Sequence, residues 1–566
     1  MKKKIAVSMI IIMGLMMGIL IGVLEFKKDK ASASVEGETA IVIGDMKLAD
    51  PHYAVIEEEG VYIPYETVKQ QLDSNMILDE TGKRVFIQLE DKPFYLENEE
   101  LTRYIKENRV TINIPTKIIE GKPYLPLDVM GKIMGIQGAY YHETNRIVID
   151  KMGEKMMIGE IVKNRVKLQP EENMDDDYDV ALKLGDKMNV LGEIDGKYKV
   201  RTSEGVIGFV AKKDAKIIEE RLIQSQPINQ GREAWKIGDD KISLAWEYVY
   251  EKSPDLSEEL ALEGLDVIVP TWFHIDDEDG NIINNGDPQY VQQAHDKGYK
   301  VWGLVDNSFN PALTSKILSD ETLKRKVIGQ LVLYADLYNL DGINIDFENV
   351  NYADKDKLVQ FVKELREKTK KQNLILSMDV TVPSSSENWS KVYDRKALSQ
   401  HVDYMAVMTY DEHWGSSPVS GSVASISWVE KGIQRSMESI PKEKILLGIP
   451  FYTRIWEEYL DKDGKRKVKS QAVSMTKAWE LVSEKGTEAI WNEDAGQFYA
   501  EYVEEGSTFK VWLEDSKSVA LKADMVDQYD LAGTAAWRRK FEDPKVWAVL
   551  QQMIKEGKKY EDMLFE

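Results

Sequence analysis

Cysteine is absent from the 566 residues. That excludes disulfides, thiolate metal sites and a cysteine nucleophile, and it fits an exported protein that avoids thiol chemistry altogether. Histidine is scarce: His52, His142, His274, His295, His401 and His413 show no paired ligand spacing, so the expectation is no metal and no cofactor. The net charge is -23, and phosphate binding needs a clustered basic surface, which argues against a nucleic-acid partner. Tryptophan is missing from residues 1–234, whereas all 13 lie between Trp235 and Trp547. A chemically different domain must begin near that boundary.

A chain of this length calls for three or four domains of about 100–200 residues, allowing for one large barrel. At the N-terminus Lys2-Lys3-Lys4 precedes a stretch from Ile5 to Leu24 that carries no charge and is apolar apart from Ser8. It is long enough to cross a bilayer core of about 30 Å as a helix. A cleaved signal would have a shorter apolar region closely followed by small residues. Ala31-Ser32-Ala33 offers such a site, but the charged run from Glu25 to Lys30 stands in between. The preferred reading of residues 1–33 is an uncleaved single-pass membrane anchor, with a signal sequence as the alternative, and with the remainder of the chain outside the cytoplasm.

Residues 40–152 contain an internal repeat. Val61-Tyr-Ile-Pro-Tyr-Glu-Thr-Val-Lys-Gln-Gln-Leu72 and Asp79-Glu-Thr-Gly-Lys-Arg-Val-Phe-Ile87 are echoed by Pro123-Tyr-Leu-Pro-Leu-Asp-Val-Met-Gly-Lys-Ile-Met134 and His142-Glu-Thr-Asn-Arg-Ile-Val-Ile149. Each copy predicts a short strand, a helix and a hairpin. The pair resembles the α+β domain named after the copper amine oxidase N-terminus, a stalk or binding module in bacterial envelope proteins. His142 has no second ligand nearby, so nothing suggests copper. Residues 157–218 predict short strands with turns, and Leu184-Gly-Asp-Lys, Asp195-Gly-Lys-Tyr-Lys-Val and Gly205-Val-Ile-Gly-Phe-Val resemble a bacterial SH3 domain. A generic β-barrel spacer is the alternative. Residues 219–237, polar with Pro and Gly, read as a linker.

From residue 238 to 557, apolar strand-like runs recur eight times: Ile242–Trp246, Leu265–Trp272, Lys300–Val305, Leu340–Glu348, Leu374–Met378, Tyr404–Met408, Ile445–Ile449 and Ala532–Trp537. Helical segments such as Thr322–Leu337 and Ala353–Gln372 separate several of them. Strands alternating with helices over this length predict an α/β fold, a (β/α)8 barrel, with an α+β insertion at about 453–530 in the longest gap. In such a barrel the catalytic groups sit at the C-terminal ends of strands. Along Asp341-Gly-Ile-Asn-Ile-Asp-Phe-Glu348 the residues Gly342, Asn344, Asp346 and Glu348 share one face. Glu348, last in its run, should project into the mouth, with Asp346 and Asn344 progressively deeper. Carboxyls crowded in a poorly solvated site have raised pKa values, as a general acid near neutral pH requires.

This octapeptide resembles the DxxDxDxE signature of glycoside hydrolase family 18, which includes chitinases, endo-N-acetylglucosaminidases and spore-cortex lytic enzymes. Met408-Thr-Tyr-Asp411 resembles the family's MxYD segment, Gly448-Ile-Pro-Phe-Tyr-Thr-Arg454 its GxPxYxR segment, and Gly533-Thr-Ala-Ala-Trp537 its terminal strand with a tryptophan. Val511-Trp-Leu-Glu-Asp515 is a looser match. The resemblance covers roughly residues 238–550, in family order. It implies a retaining, substrate-assisted mechanism in which Glu348 protonates the glycosidic oxygen, Asp346 holds the acetamido N–H, and Tyr410 orients the acetamido oxygen. Asp341, the signature's first acid, is grouped with them.

The resemblance further implies that Trp537 floors the sugar site, and that Asp411, Tyr452 and Arg454, with Met408 beside them, contact substrate or neighbouring carboxylates. Arg454 could equally be a structural ion-pair partner. Trp272 and Trp414 either stack on sugars or simply pack. Asn344 departs from the family, which usually has Asp there: an amide donates but cannot share a proton, so an altered pH profile is expected rather than lost activity. The expected function is hydrolysis of β-1,4 bonds in N-acetylglucosamine-containing polysaccharide by an envelope-anchored enzyme, most readily peptidoglycan. A chitinase or chitooligosaccharide hydrolase, and a non-catalytic carbohydrate-binding scaffold, are the alternatives.

Overall fold

The computed structural model describes residues 39–48, 53–57, 60–170, 180–224, 228, 232–233, 235 and 240–565. By packing, the chain divides into two compact units, one drawn from residues up to 68, 124–128 and 136–223, the other from 69–123, 129–135 and 224 onward.

In the first unit, strand Gly60–Pro64 pairs antiparallel with strand Lys122–Pro126, Ile63 facing Leu125. Each strand ends in proline, which cannot donate to a continuing ladder, and each runs straight into a helix, Tyr65–Gln71 and Leu127–Met134. The two copies of the repeat therefore meet through equivalent strands. The second copy continues into hairpin Ile136–Tyr141 and Arg146–Lys151, turned by Asn145 in the left-handed region. Strand Ala40–Ile43 adds to it in parallel. Residues 155–222 form a five-stranded antiparallel sheet in the order Ile207–Ala211, Lys197–Arg201, Lys187–Ile194, Lys155–Ile161, Ala215–Leu222. It closes over Ile161, Leu168, Leu182, Met188, Val200 and Val210.

The second unit is the expected barrel. Its strands are β1 Ile242–Glu247, β2 Val267–Ile275, β3 Lys300–Asp306, β4 Gly342–Asp346, β5 Ile375–Thr381, β6 Tyr404–Met408, β7 Ile445–Pro450 and β8 Gly533–Trp537. All are parallel neighbours, and β1 pairs with both β2 and β8 to close the ring. Buried on both faces, they read as continuous apolar runs rather than alternating ones. Ile242, Leu244, Trp246, Val269, Trp302, Leu304, Tyr404, Leu446 and Ala535 belong to the shared core. Among the glycines that sterics require, a Cβ at Gly342 would lie 2.6 Å from Trp302, and one at Gly533 would lie 1.9 Å from the Ile242 carbonyl. Helices Glu321–Leu337 and Lys355–Lys371 flank β4, the first capped by Asp320, whose carboxylate accepts the Thr322 and Leu323 N–H groups.

Between β7 and β8 an antiparallel five-stranded sheet, Tyr452–Leu460 to Ser507–Leu513, packs under helix Met475–Glu484. Ala478 and Val482 of that helix meet Ala500, Val511 and Leu513. The first repeat copy's hairpin also lies in this unit. Asn113, on strand Thr111–Pro115, donates to the Ile282 carbonyl and accepts from the Asn284 N–H at 3.2 Å, fastening that strand to the short strand Ile282–Asn284 that pairs with β2. The expected membrane anchor is corrected: among the described residues no helix is long and apolar enough to cross a membrane. Its segment, Ile5 to Leu24, lies outside the described residues.

Candidate active site

The C-terminal end of the barrel gathers acids from three adjacent strands. The β3–β4 register sets Asp306 opposite Asp346. On the other side Asn344 pairs with Ser377 and Ile345 with Met378, so one step further along come Asp346 and Asp379. Asp306, Asp346 and Asp379 are all buried, and Glu348 stands half-buried two residues beyond the end of β4. Because β4 stops at Asp346, the strand itself does not fix Glu348. Asn307 does: its side-chain oxygen accepts the Glu348 N–H at 3.0 Å and its amide donates to the Glu348 carbonyl at 2.8 Å. Asn307 is itself buried and donates also to Thr314.

Crowding and burial set the protonation of the cluster. Burial, then the charges of Asp411 and Asp306, push Glu348 up to about 7. Asp346 is driven well above the usual carboxylate range by burial and by Glu348, Asp379 and Asp306. Asp379 is raised in the same direction by burial, partly offset by the Asn344 amide. Carboxyls this close in a desolvated site cannot all ionise at neutral pH. One buried oxygen, Oδ1 of Asp346, has no hydrogen-bond partner. Buried acceptors are nearly always paired, and this one meets no donor among the described residues.

Asn344 is fully engaged. Its amide donates to Ser377 Oγ at 3.0 Å and to Asp379 Oδ1 at 2.8 Å, and its oxygen accepts from the Trp246 indole at 3.3 Å. Trp246 in turn packs against Trp537, ring centroids 5.9 Å apart, placing Trp537 half-buried at the end of β8. After β6, the Tyr410 hydroxyl is raised well above its usual range by burial and by Asp379, Tyr452, Asp346 and Glu348. Tyr452 donates to Asp411 Oδ1 at 2.6 Å. Arg454 lies 3.6 Å from the same carboxylate and over the Tyr452 ring. Met408 ends β6 half-buried, and Trp414 is 52% exposed on the following loop.

Two expected site residues lie elsewhere. Asp341 precedes β4, at the opposite end of the barrel from Glu348. There it accepts from His295 Nε2 at 2.7 Å, Lys300 Nζ at 3.0 Å and the Val301 N–H at 2.9 Å. Burial works against its charge, but these partners hold it below the usual range. It is the shared partner of His295 and Lys300, away from the cluster around Glu348. Trp272 is fully buried, its indole donating to Ser253 and its ring packed on Phe273, Tyr290 and Tyr338. It has no face for a sugar. Conversely, Asp306, Asp379 and Asn307 were not expected, although each stands just past an apolar run, as Glu348 does. His274 Nδ1 lies 2.5 Å from Asp306.

A model of the family described as glycosyl hydrolases family 18 matches residues 245–542, more than half of the chain. The chain is a member of glycosyl hydrolase family 18. Residues 46–149 match the copper amine oxidase N-terminal domain. Among curated proteins, this family 18 chain is 28% identical over 295 residues to the uncharacterized glycosylase YvbX of Bacillus subtilis (strain 168), covering 49% of this chain and 82% of that one. It is 25% identical over 263 residues to the cortical fragment-lytic enzyme of the same organism, covering 46% and 60%, so it spans less than two thirds of that relative. Among solved structures, the C-terminal domain of a provisionally named chitinase from Desulfitobacterium hafniense DCB-2 superposes with a TM-score of 0.50 at 27% identity, over 56% of this chain and 99% of that one. The spore cortex-lytic enzyme SleL of Bacillus megaterium QM B1551 matches in fold, with a TM-score of 0.50 at 19% identity, over 65% and 88%.

Proposed function

We propose that this family 18 glycosidase cleaves β-1,4 bonds next to 2-acetamido sugars with retention, and that its substrate is peptidoglycan. The observation that carries the reading is Glu348 raised to about 7 beside the unpartnered buried oxygen of Asp346. Glu348 keeps a large share of its proton at neutral pH and is reachable from the mouth. It delivers its proton to the glycosidic oxygen as the C1–O bond breaks, and the substrate's acetamido oxygen closes onto C1. The acetamido N–H supplies the donor that Asp346 Oδ1 lacks, and the ionised carboxyl offsets the positive charge of the oxazolinium ring. Tyr410 directs its hydroxyl to the acetamido oxygen. Glu348, now a carboxylate, takes a proton from the water that reopens the ring at C1. Trp537 floors the sugar, with Met408, Asp411, Tyr452 and Arg454 lining the site and Trp414 stacking at its edge.

Support for peptidoglycan comes from relatives named for lysis of cortical fragments, and from the modules at residues 40–152 and 157–218, the second proposed as bacterial SH3-like. The solved relative named as a chitinase favours chitooligosaccharides as the second reading. Mass spectrometry of products from purified peptidoglycan separates them. New reducing-end N-acetylglucosamine is expected. Reducing-end N-acetylmuramic acid refutes cleavage after N-acetylglucosamine, no cleavage of peptidoglycan or cleavage of chitooligosaccharides alone refutes the peptidoglycan assignment, and turnover by Glu348→Gln equal to the unaltered protein refutes the enzyme reading.

A further inference from the structure

We propose that Asp379 of β5 is the proton-holding partner of Asp346, so that a carboxyl pair spanning two strands, and not β4 alone, stores the proton that Asp346 must shed during catalysis. This deepens the reading above and rests on its assignment of Asp346. Position 344 cannot store a proton: the Asn344 amide has both N–H groups and its oxygen committed to Ser377, Asp379 and Trp246. What Asn344 does is aim Asp379, at 2.8 Å. The β4–β5 register ends at Ile345 and Met378, one residue short of Asp346 and Asp379, whose charges act on each other, and Asp306 is paired with Asp346 on the other side.

Charged and titratable groups converge on the pair from every neighbour: Asp306, with His274 behind it, from β3 and β2; Glu348, itself raised by Asp411, from the end of β4; Tyr393 after β5; Tyr410 after β6. No Lys or Arg is among the influences on Asp346 or Asp379. In the empty site the proton rests on Asp346, whose Oδ1 has no donor, while Asp379 has the Asn344 amide. When a sugar N–H reaches Asp346, the preference reverses. The O–H bond on Asp346 breaks and one forms on Asp379, with no other change in the count of protons or charge, and the transfer reverses on product release.

Kinetics against pH on a fluorogenic chitooligosaccharide or on muropeptides, with the full chain, test this. In Asp379→Asn the proton on Asp346 can leave only to solvent. The acid limb of kcat then moves up by about one pH unit, a tenfold loss at the foot of the limb, while KM stays within twofold. The double variant Asn344→Asp/Asp379→Asn returns a carboxyl to the pair from β4 and brings the limb back. Infrared difference spectra of free protein lose a protonated-carboxyl band in Asp379→Asn when a 2-acetamido sugar is added. A limb that stays in place, a double variant that does not recover, an unchanged band, or failure of both variants to fold each overturns the proposal. An unaltered protein that hydrolyses no 2-acetamido glycan defeats the functional reading instead, and the infrared comparison still decides this one.

Discussion

Glu348→Gln should remove activity and add stability, and the second effect can be worked out from the site. The Glu348 carboxyl titrates near 7 in the folded protein against an ordinary value of 4.5. A raised carboxyl means the native state binds the proton more tightly than the unfolded chain. Stability is therefore undiminished below the unfolded value and falls as pH rises from about 4.5 to 7, staying low above that. At 1.36 kcal/mol for each tenfold change in affinity, the penalty at pH 8 approaches about 3 kcal/mol, a ceiling because water at the mouth screens part of it. Glutamine is isosteric and neutral, so it lifts that penalty and also relieves Asp346 and Asp379 of a neighbouring charge. Calorimetry should show Glu348→Gln melting about 5 °C above the unaltered protein at pH 8 and level with it at pH 4. Turnover should fall about 10³-fold. Equal melting temperatures at both pH values, or a less stable variant at pH 8, would refute the claim that Glu348 is held protonated by burial and crowding.

Three further outcomes follow from the geometry. The alkaline limb of kcat/KM should lie near pH 7, where Glu348 ionises, and Asp411→Asn should move it to lower pH because Asp411 is the largest charge raising Glu348; a limb that rises or stays fixed in pH titrations contradicts this. Asp341→Asn should lower stability by about 3 kcal/mol in denaturant melts, through the loss of a carboxylate shared by His295 and Lys300, with kcat and KM within twofold. Trp414→Ala should raise KM several-fold on oligosaccharides without lowering Tm, whereas Trp272→Phe should lower Tm and leave KM unchanged, because only Trp414 has an exposed face.

The eight strands were legible because buried parallel strands announce themselves as apolar runs, and β4 was legible twice over, since its alternation also singled out Asn344, Asp346 and Glu348. The motif was less informative about place. Asp341 and Glu348 belong to one octapeptide, yet a strand of five residues puts its two ends on opposite faces of the barrel, and only the far end faces the mouth. Trp272 illustrates a different limit: an aromatic near a strand end has the same local sequence whether it lines a cleft or fills the layer beneath the helices, and here Tyr290 and Tyr338 settle it by packing around the ring. The acids that crowd Asp346 were hidden for a third reason. Asp306 and Asp379 each sit one residue beyond the apolar run read from the sequence, and what makes them part of the site is the register of β3 and β5 against β4, which no local pattern encodes. The same register explains the amide at position 344: with Asp379 delivered from the next strand, an acid at 344 would add a third charge to a buried pair, whereas asparagine supplies two donors to the groups already there.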